Sequence, residues 1–252
     1  MAKFDFVERY TCMRSLKKTV NTLVLHRVVA GLPEHWEDIT LENFSHILNL
    51  VRQQTLGAIS PSVYLTFDDG CISDYDLVFP KLCEAGLSAS FFIITDKIGS
   101  AGYLSRAQIR EMYRHNMTMG SHTASHRRLT KLSITQAVAD IVQSKGILED
   151  ITGSEVTQFS FPFGDYNSEI LKAVEEIGFN SIFTSNHGLD SELYGIRRRN
   201  SINCRHDPRA IKGILQPSYF KRVEWYIEDS LKGIVKNSVG SKNYTRVRNL
   251  LK

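Results

Sequence analysis

The chain predicts an α/β protein in which helices cover a parallel sheet. Three observations carry that prediction. Short β-prone runs alternate with stretches of helical period along most of the chain. The polar residues able to do chemistry collect at the C-terminal ends of those runs. And 252 residues at 42% hydrophobic content can bury one sizeable α/β core, or two smaller ones.

The elements follow in order. "NTLVLHRVV" (21–29) reads as a buried strand and "LENFSHILNLVRQQ" (41–54) as an amphipathic helix. "SVYLTF" (62–67) is the next strand. The helix over 73–86 follows, with Gly86 as its stop. "SASFFIIT" (88–95) is a strand, and "SRAQIREMYRHN" (105–116) opens with Ser105 and Gln108 in capping-box spacing. Then come strand 117–122, helix 133–151, strand 156–162, helix 167–178 and strand 180–185. About seven such units allow an open doubly wound sheet or a (β/α) barrel, and both put function at the strand C-termini.

Composition excludes several classes. A net charge of +4, from 31 basic and 27 acidic residues, is too mild to argue for nucleic acid. Cys12, Cys71, Cys83 and Cys204 form no Cys-x-x-Cys pair, so neither a cysteine zinc site nor a disulfide scaffold is expected. No run has secretory or membrane-spanning length, which leads us to expect a cytoplasmic protein. The stretch from Lys232 to Lys252 carries six basic residues and no acid. It reads as a solvated basic terminus or as a segment drawn to an anionic membrane surface. The resulting layout is an N-terminal segment (1–19), a catalytic domain (20–215) and a basic helical extension (216–252).

"YLTFDDG" (64–70) places Asp68 and Asp69 side by side at the end of a strand. Asp-Gly there is a turn signal, but two adjacent carboxylates in a core need a further reason. "SHTASH" (121–126) supplies one. His122 and His126 are four residues apart, which on a helical turn would put both imidazoles on one side. Alone the pair would read as surface histidines; joined to a strand-end Asp it makes a His-His-Asp set with an open position, as a catalytic divalent cation requires. The cation would relieve the repulsion between the carboxylates.

"TFDDG", "SHTASH" and "FPFGDY" (161–166), in that order, resemble the polysaccharide deacetylase family, over roughly residues 20–205. The resemblance implies a distorted (β/α) barrel and a metal-dependent amidase that removes N-acetyl groups from aminosugars. Carried over by position, it implies Asp68 as general base and Asp69, His122 and His126 as ligands of a divalent ion, zinc in our reading. The backbone N–H of Phe163 would be an oxyanion donor. The sequence departs from the family in two places. The position of an Arg that orients the base is Ser160, so we look to Arg199, within "RRRNSI" (197–202), for the guanidinium; a solvated surface triplet is the alternative. The general-acid motif is missing near the C-terminus, but "LVLH" (23–26) has its form at the other end, as in a circularly permuted barrel. We therefore assign His26 as the acid, against a strand-end histidine satisfied by a carbonyl. The expected substrate is an N-acetylated sugar or lipid-linked saccharide of cell-surface assembly. Hydrolysis of another amide or cyclic imide, and non-catalytic sugar binding, are the competing readings.

Overall fold

The computed structural model describes residues 19–57, 61–191 and 194–231. The strands are β1 (Val20–Leu25), β2 (Val28–Val29), β3 (Ile39–Thr40), β4 (Ser62–Asp69), β5 (Ser90–Ile93), β6 (Thr118–Ser121), β7 (Gln158–Ser160), β8 (Ser181–Phe183), β9 (Gly195–Arg197) and β10 (Asn200–Ser201). Eight of them form one parallel sheet in the order β10-β1-β4-β5-β6-β7-β8-β9, while β2 and β3 pair apart. The helices are α1 (Leu41–Gly57), α2 (Phe79–Ala85), α3 (Arg106–Arg114), α4 (Ile134–Thr152), α5 (Ser168–Glu176) and α6 (Pro208–Leu215).

The two edge strands, β9 and β10, are consecutive in the chain and separated only by Arg198 and Arg199. Two intervening residues can span little more than about 10 Å, so the sheet must roll until its edges nearly meet. The run 195–201 pairs first with β8 and then, still parallel, with β1. The result is a distorted (β/α) barrel. The expected seven or so strands are seven runs, the last divided between two neighbours.

Alternation along the strands sorts the side chains. Leu23, Leu25, Leu65, Phe67, Phe91, Ile93 and Phe159 belong to the main hydrophobic core shared with the helices. The opposite positions turn into the barrel and bond across it: Tyr64 Oη and Ser90 Oγ lie 2.6 Å apart, and Ser90 Oγ donates to Gln158 at 2.7 Å. Arg197 and Arg199, two residues apart at the seam, are among the largest fully buried side chains. Arg197 donates to Thr22 Oγ1 (2.7 Å) and Asp190 (3.2 Å), so its charge is met inside.

Local signals set the helix ends. Ser105 and Gln108 complete a capping box on α3, and Ser133 and Gln136 complete another on α4. Gly86 closes α2 in the left-handed region (φ 65°), and the turn ahead of that helix, Asp74–Val78, is π-helical rather than continuous α-helix. The first strand also differs from expectation. It stops at Leu25, because Arg27 turns aside to pair with Asp38 (2.9 Å) and Val28–Val29 pairs with β3. Residues 219–231 are helical and pack on the barrel through buried Trp225. Most of segment 1–19 and the whole basic stretch 232–252 lie outside the described residues. Among the described residues no helix is long and apolar enough to cross a membrane.

One position shows how tightly the interior is packed. A Cβ added at Gly120 on β6 would sit 2.5 Å from the ring of Phe92. Gly120→Ala should therefore destabilise the protein by about 1–3 kcal/mol. Chemical denaturation should show a lower midpoint at an unchanged slope.

Candidate active site

The C-terminal ends of β4, β6 and β7 meet at one mouth of the barrel. Strand alternation separates the two carboxylates at the end of β4. Asp68 points inward and is buried, while Asp69 faces the mouth with its side chain one quarter exposed. Asp69 (φ 81°) and Gly70 (φ 73°) both lie in the left-handed region, so the Asp-Gly pair does turn the chain. The turn is what aims Asp69 away from Asp68.

Asp69 Oδ1 stands 3.6 Å from His122 Nε2 and 3.4 Å from His126 Nε2. The three groups offer donor atoms that all lie within 4.8 Å of one another. Ligands of a tetrahedral zinc-like ion at about 2.0–2.1 Å would be about 3.3 Å apart, so the set fits a divalent cation with little adjustment. The outer contacts fit as well. His122 Nδ1 lies 2.8 Å from the Ser160 carbonyl, which must accept its proton, and this tautomer leaves the Nε2 lone pair free for a ligand bond.

The two histidines do not share a helical turn, as their spacing suggested. They lie on a loop after β6 in which Thr123 (φ 65°) and His126 (φ 56°) adopt left-handed backbone. Asp140 on α4 holds that loop. Its carboxylate accepts the Ala124 and Ser125 N–H groups at 2.6 and 3.0 Å, which pre-empts the helical hydrogen bonds. Sequence reasoning missed Asp140. The signal was a carboxylate on the face of α4 that otherwise buries Ala137, Ile141 and Leu148.

Asp68 is gripped from the seam. Arg199 donates from Nη1 and Nη2 to its two oxygens at 2.6 and 2.8 Å, and Ser160 Oγ donates at 3.2 Å. Burial opposes the charge on Asp68, but Arg199 and then His122 outweigh it and hold the carboxyl well below its usual range. Arg199 lies between β9 and β10 rather than opening a final strand. Ser160, where the sequence lacks an arginine, is the residue that bonds both partners: its Oγ also accepts from Arg199 at 2.8 Å. Asp74 is fully buried, and burial followed by the charges of Asp69 and Asp68 pushes its carboxyl well above the usual range. It therefore adds no third negative charge to the mouth.

His26 follows β1, with Nε2 3.9 Å from Glu37 Oε1 and a buried Nδ1 that has no hydrogen-bond partner. It makes no bond to a neighbouring carbonyl through that atom. Phe163, at φ 59° and nearly half exposed, sets its ring 4.7 Å from that of His126 at a 44° tilt. His187 and His206 serve other contacts: His187 Nδ1 lies 3.2 Å from Asp229, and His206 Nδ1 accepts the Asn203 N–H at 3.1 Å.

The barrel and this mouth define an α/β barrel of the carbohydrate-deacetylase type. The family model described as polysaccharide deacetylase matches residues 57–182, half of the chain, and the chain belongs to that family. It is 33% identical to YxkH of Bacillus subtilis over 139 residues, 54% of this chain and 50% of that one. It is 32% identical to the poly-beta-1,6-N-acetyl-D-glucosamine N-deacetylase of Staphylococcus epidermidis over 137 residues, 49% of this chain and 47% of that one. The chain thus spans about half the length of these curated relatives. Among solved structures, the Streptococcus pyogenes deacetylase PplD in complex with acetate shares the fold, with a TM-score of 0.71 and 22% identity over 80% of this chain and 100% of that one.

The site has a measurable signature without any ligand. Burial, then the neighbouring His122, push the His126 imidazole down from 6.5 to about 4, against the pull of Asp69 and Asp68. The unfolded chain takes up this proton at higher pH than the folded chain does. Metal-free protein should therefore lose stability as pH falls from about 6.5 to about 4, with no further loss from this group below that. Denaturant unfolding across that range should show the slope, and His126→Gln should flatten it.

Proposed function

We propose that the protein is a metal-dependent hydrolase that removes N-acetyl groups from aminosugars of a cell-surface polysaccharide or glycolipid precursor. The observation that carries this reading is a buried, ionised Asp68 directly beside the Asp69–His122–His126 cluster. A divalent cation held by those three side chains, zinc in our reading, would polarise the acetyl carbonyl and acidify water. Asp68 accepts the proton of the attacking water. Arg199 and Ser160 fix the rotamer of that carboxylate and keep it ionised. The Phe163 N–H is assigned as donor to the oxygen that gains charge, a backbone role that tolerates Phe in place of other side chains. His26, at the end of β1 and close enough for its charge to act on His126 and Asp68, is assigned as the acid that protonates the departing amine.

Names among the relatives support the substrate class: besides the poly-N-acetylglucosamine enzyme they include a chitooligosaccharide deacetylase of Azorhizobium caulinodans. A cytoplasmic enzyme that meets lipid-linked saccharides at the inner face of an anionic membrane is part of the same proposal. The six basic residues between Lys232 and Lys252 support it through their attraction to acidic headgroups.

Acetate release from N-acetylglucosamine oligomers, read together with metal content, tests the assignment. Asp68→Asn should retain metal and lose activity; full activity would remove Asp68 as the base. His26→Ala should retain metal and lower kcat by roughly 10²–10⁴-fold. Unchanged turnover in that variant would end the assignment of the acid.

A further inference from the structure

We propose that Arg128 selects substrates that carry a carboxylate beside the sugar being deacetylated; the inference rests on the deacetylase reading and names its substrate class more narrowly. The Arg128 guanidinium lies 4.4 Å from the centre of the Phe163 ring, and that ring lies 4.7 Å from the His126 ring. A cation is thus stacked into the wall of the mouth, one aromatic layer from a candidate metal ligand.

Five other arginines of the strand-end loops and the seam have acidic partners. Arg27 pairs with Asp38, Arg127 with Asp140, Arg197 and Arg198 with Asp190, and Arg199 with Asp68. Arg128 has no ion pair among the described residues, although it is half-buried. A guanidinium at the edge of a site with no carboxylate of its own chain beside it is open to an anionic group of a ligand. The cation–π contact uses no N–H hydrogen bond with an acid, and the guanidinium's parallel N–H groups match the two oxygens of a carboxylate.

The local backbone supports a functional rather than an incidental contact. Phe163 keeps a left-handed conformation (φ 59°) that a bulky aromatic rarely adopts, and its nearly half-exposed ring contacts both Arg128 and His126. The contact with the Phe163 ring holds the guanidinium close to the site. A flexible surface arginine would lose that advantage to side-chain entropy.

The test compares two N-acetylated tetrasaccharides. One is the neutral β-1,4-linked N-acetylglucosamine tetramer, and the other alternates N-acetylglucosamine with the carboxylate-bearing N-acetylmuramic acid. Each is titrated by calorimetry into metal-loaded protein carrying Asp68→Asn, with position 128 as Arg, Gln or Lys. With Arg128 the acidic tetramer should bind about fivefold more tightly at low ionic strength. The advantage should shrink toward unity at about 0.5 M salt. Arg128→Gln should abolish it, and Arg128→Lys should keep only a small part of it, because an ammonium lacks the planar fork. Equal affinities with Arg128 present, or the same preference surviving in Arg128→Gln, would overturn the proposal. Because binding is read, a failure of the parent protein to release acetate would count against the deacetylase reading and not against this one.

Discussion

The two-pronged contact between Arg199 and Asp68 is the constraint on which the rest of this site depends. A carboxylate inside a barrel is costly unless a charge and hydrogen bonds meet it there. Here both come from Arg199, at 2.6 and 2.8 Å, and from Ser160. Arg199 reaches Asp68 only because the last strand leaves β8 and joins β1 at that point. The place where the barrel closes and the place where the proposed base is held are one feature. Phe92 and Phe183 flank the guanidinium, which ties the packing of the interior to the position of the charge.

The charges around this contact are balanced in a definite order. Asp68 is ionised deep in the barrel, Asp69 faces the mouth, and Asp74 is held neutral beneath them. Asp69 and His126, each one quarter exposed, face the opening, and His122 lies behind them beside Asp68. Such a site offers a carboxylate and an imidazole at the opening with a second imidazole behind them, a donor set suited to a cation entering from solvent.

Much of the fold was legible because its signals are local. The capping box at Ser105, the stop at Gly86 and the β-prone runs each depend on a few neighbouring residues. The convergence of Asp69, His122 and His126 was legible because a parallel sheet brings strand ends together. The loop carrying the histidines was misread, since an i, i+4 spacing says nothing about Asp140, a side chain on another element that captures the loop's N–H groups. The break after Leu25 was missed for a similar reason, the pairing of Arg27 with Asp38. The grip of Arg199 on Asp68 spans 131 residues and has no local pattern; only the absence of an arginine at Ser160 hinted that one must come from elsewhere.

The central claim is that Arg199 keeps Asp68 ionised at the pH where the enzyme works. The most direct measurement is the acid limb of kcat/KM for acetate release, in the parent protein and in Arg199→Lys and Arg199→Met. Loss of the bidentate charge should move that limb to higher pH, by about one to three units in Arg199→Met and by less in Arg199→Lys. A limb at the same pH in all three proteins would contradict the account.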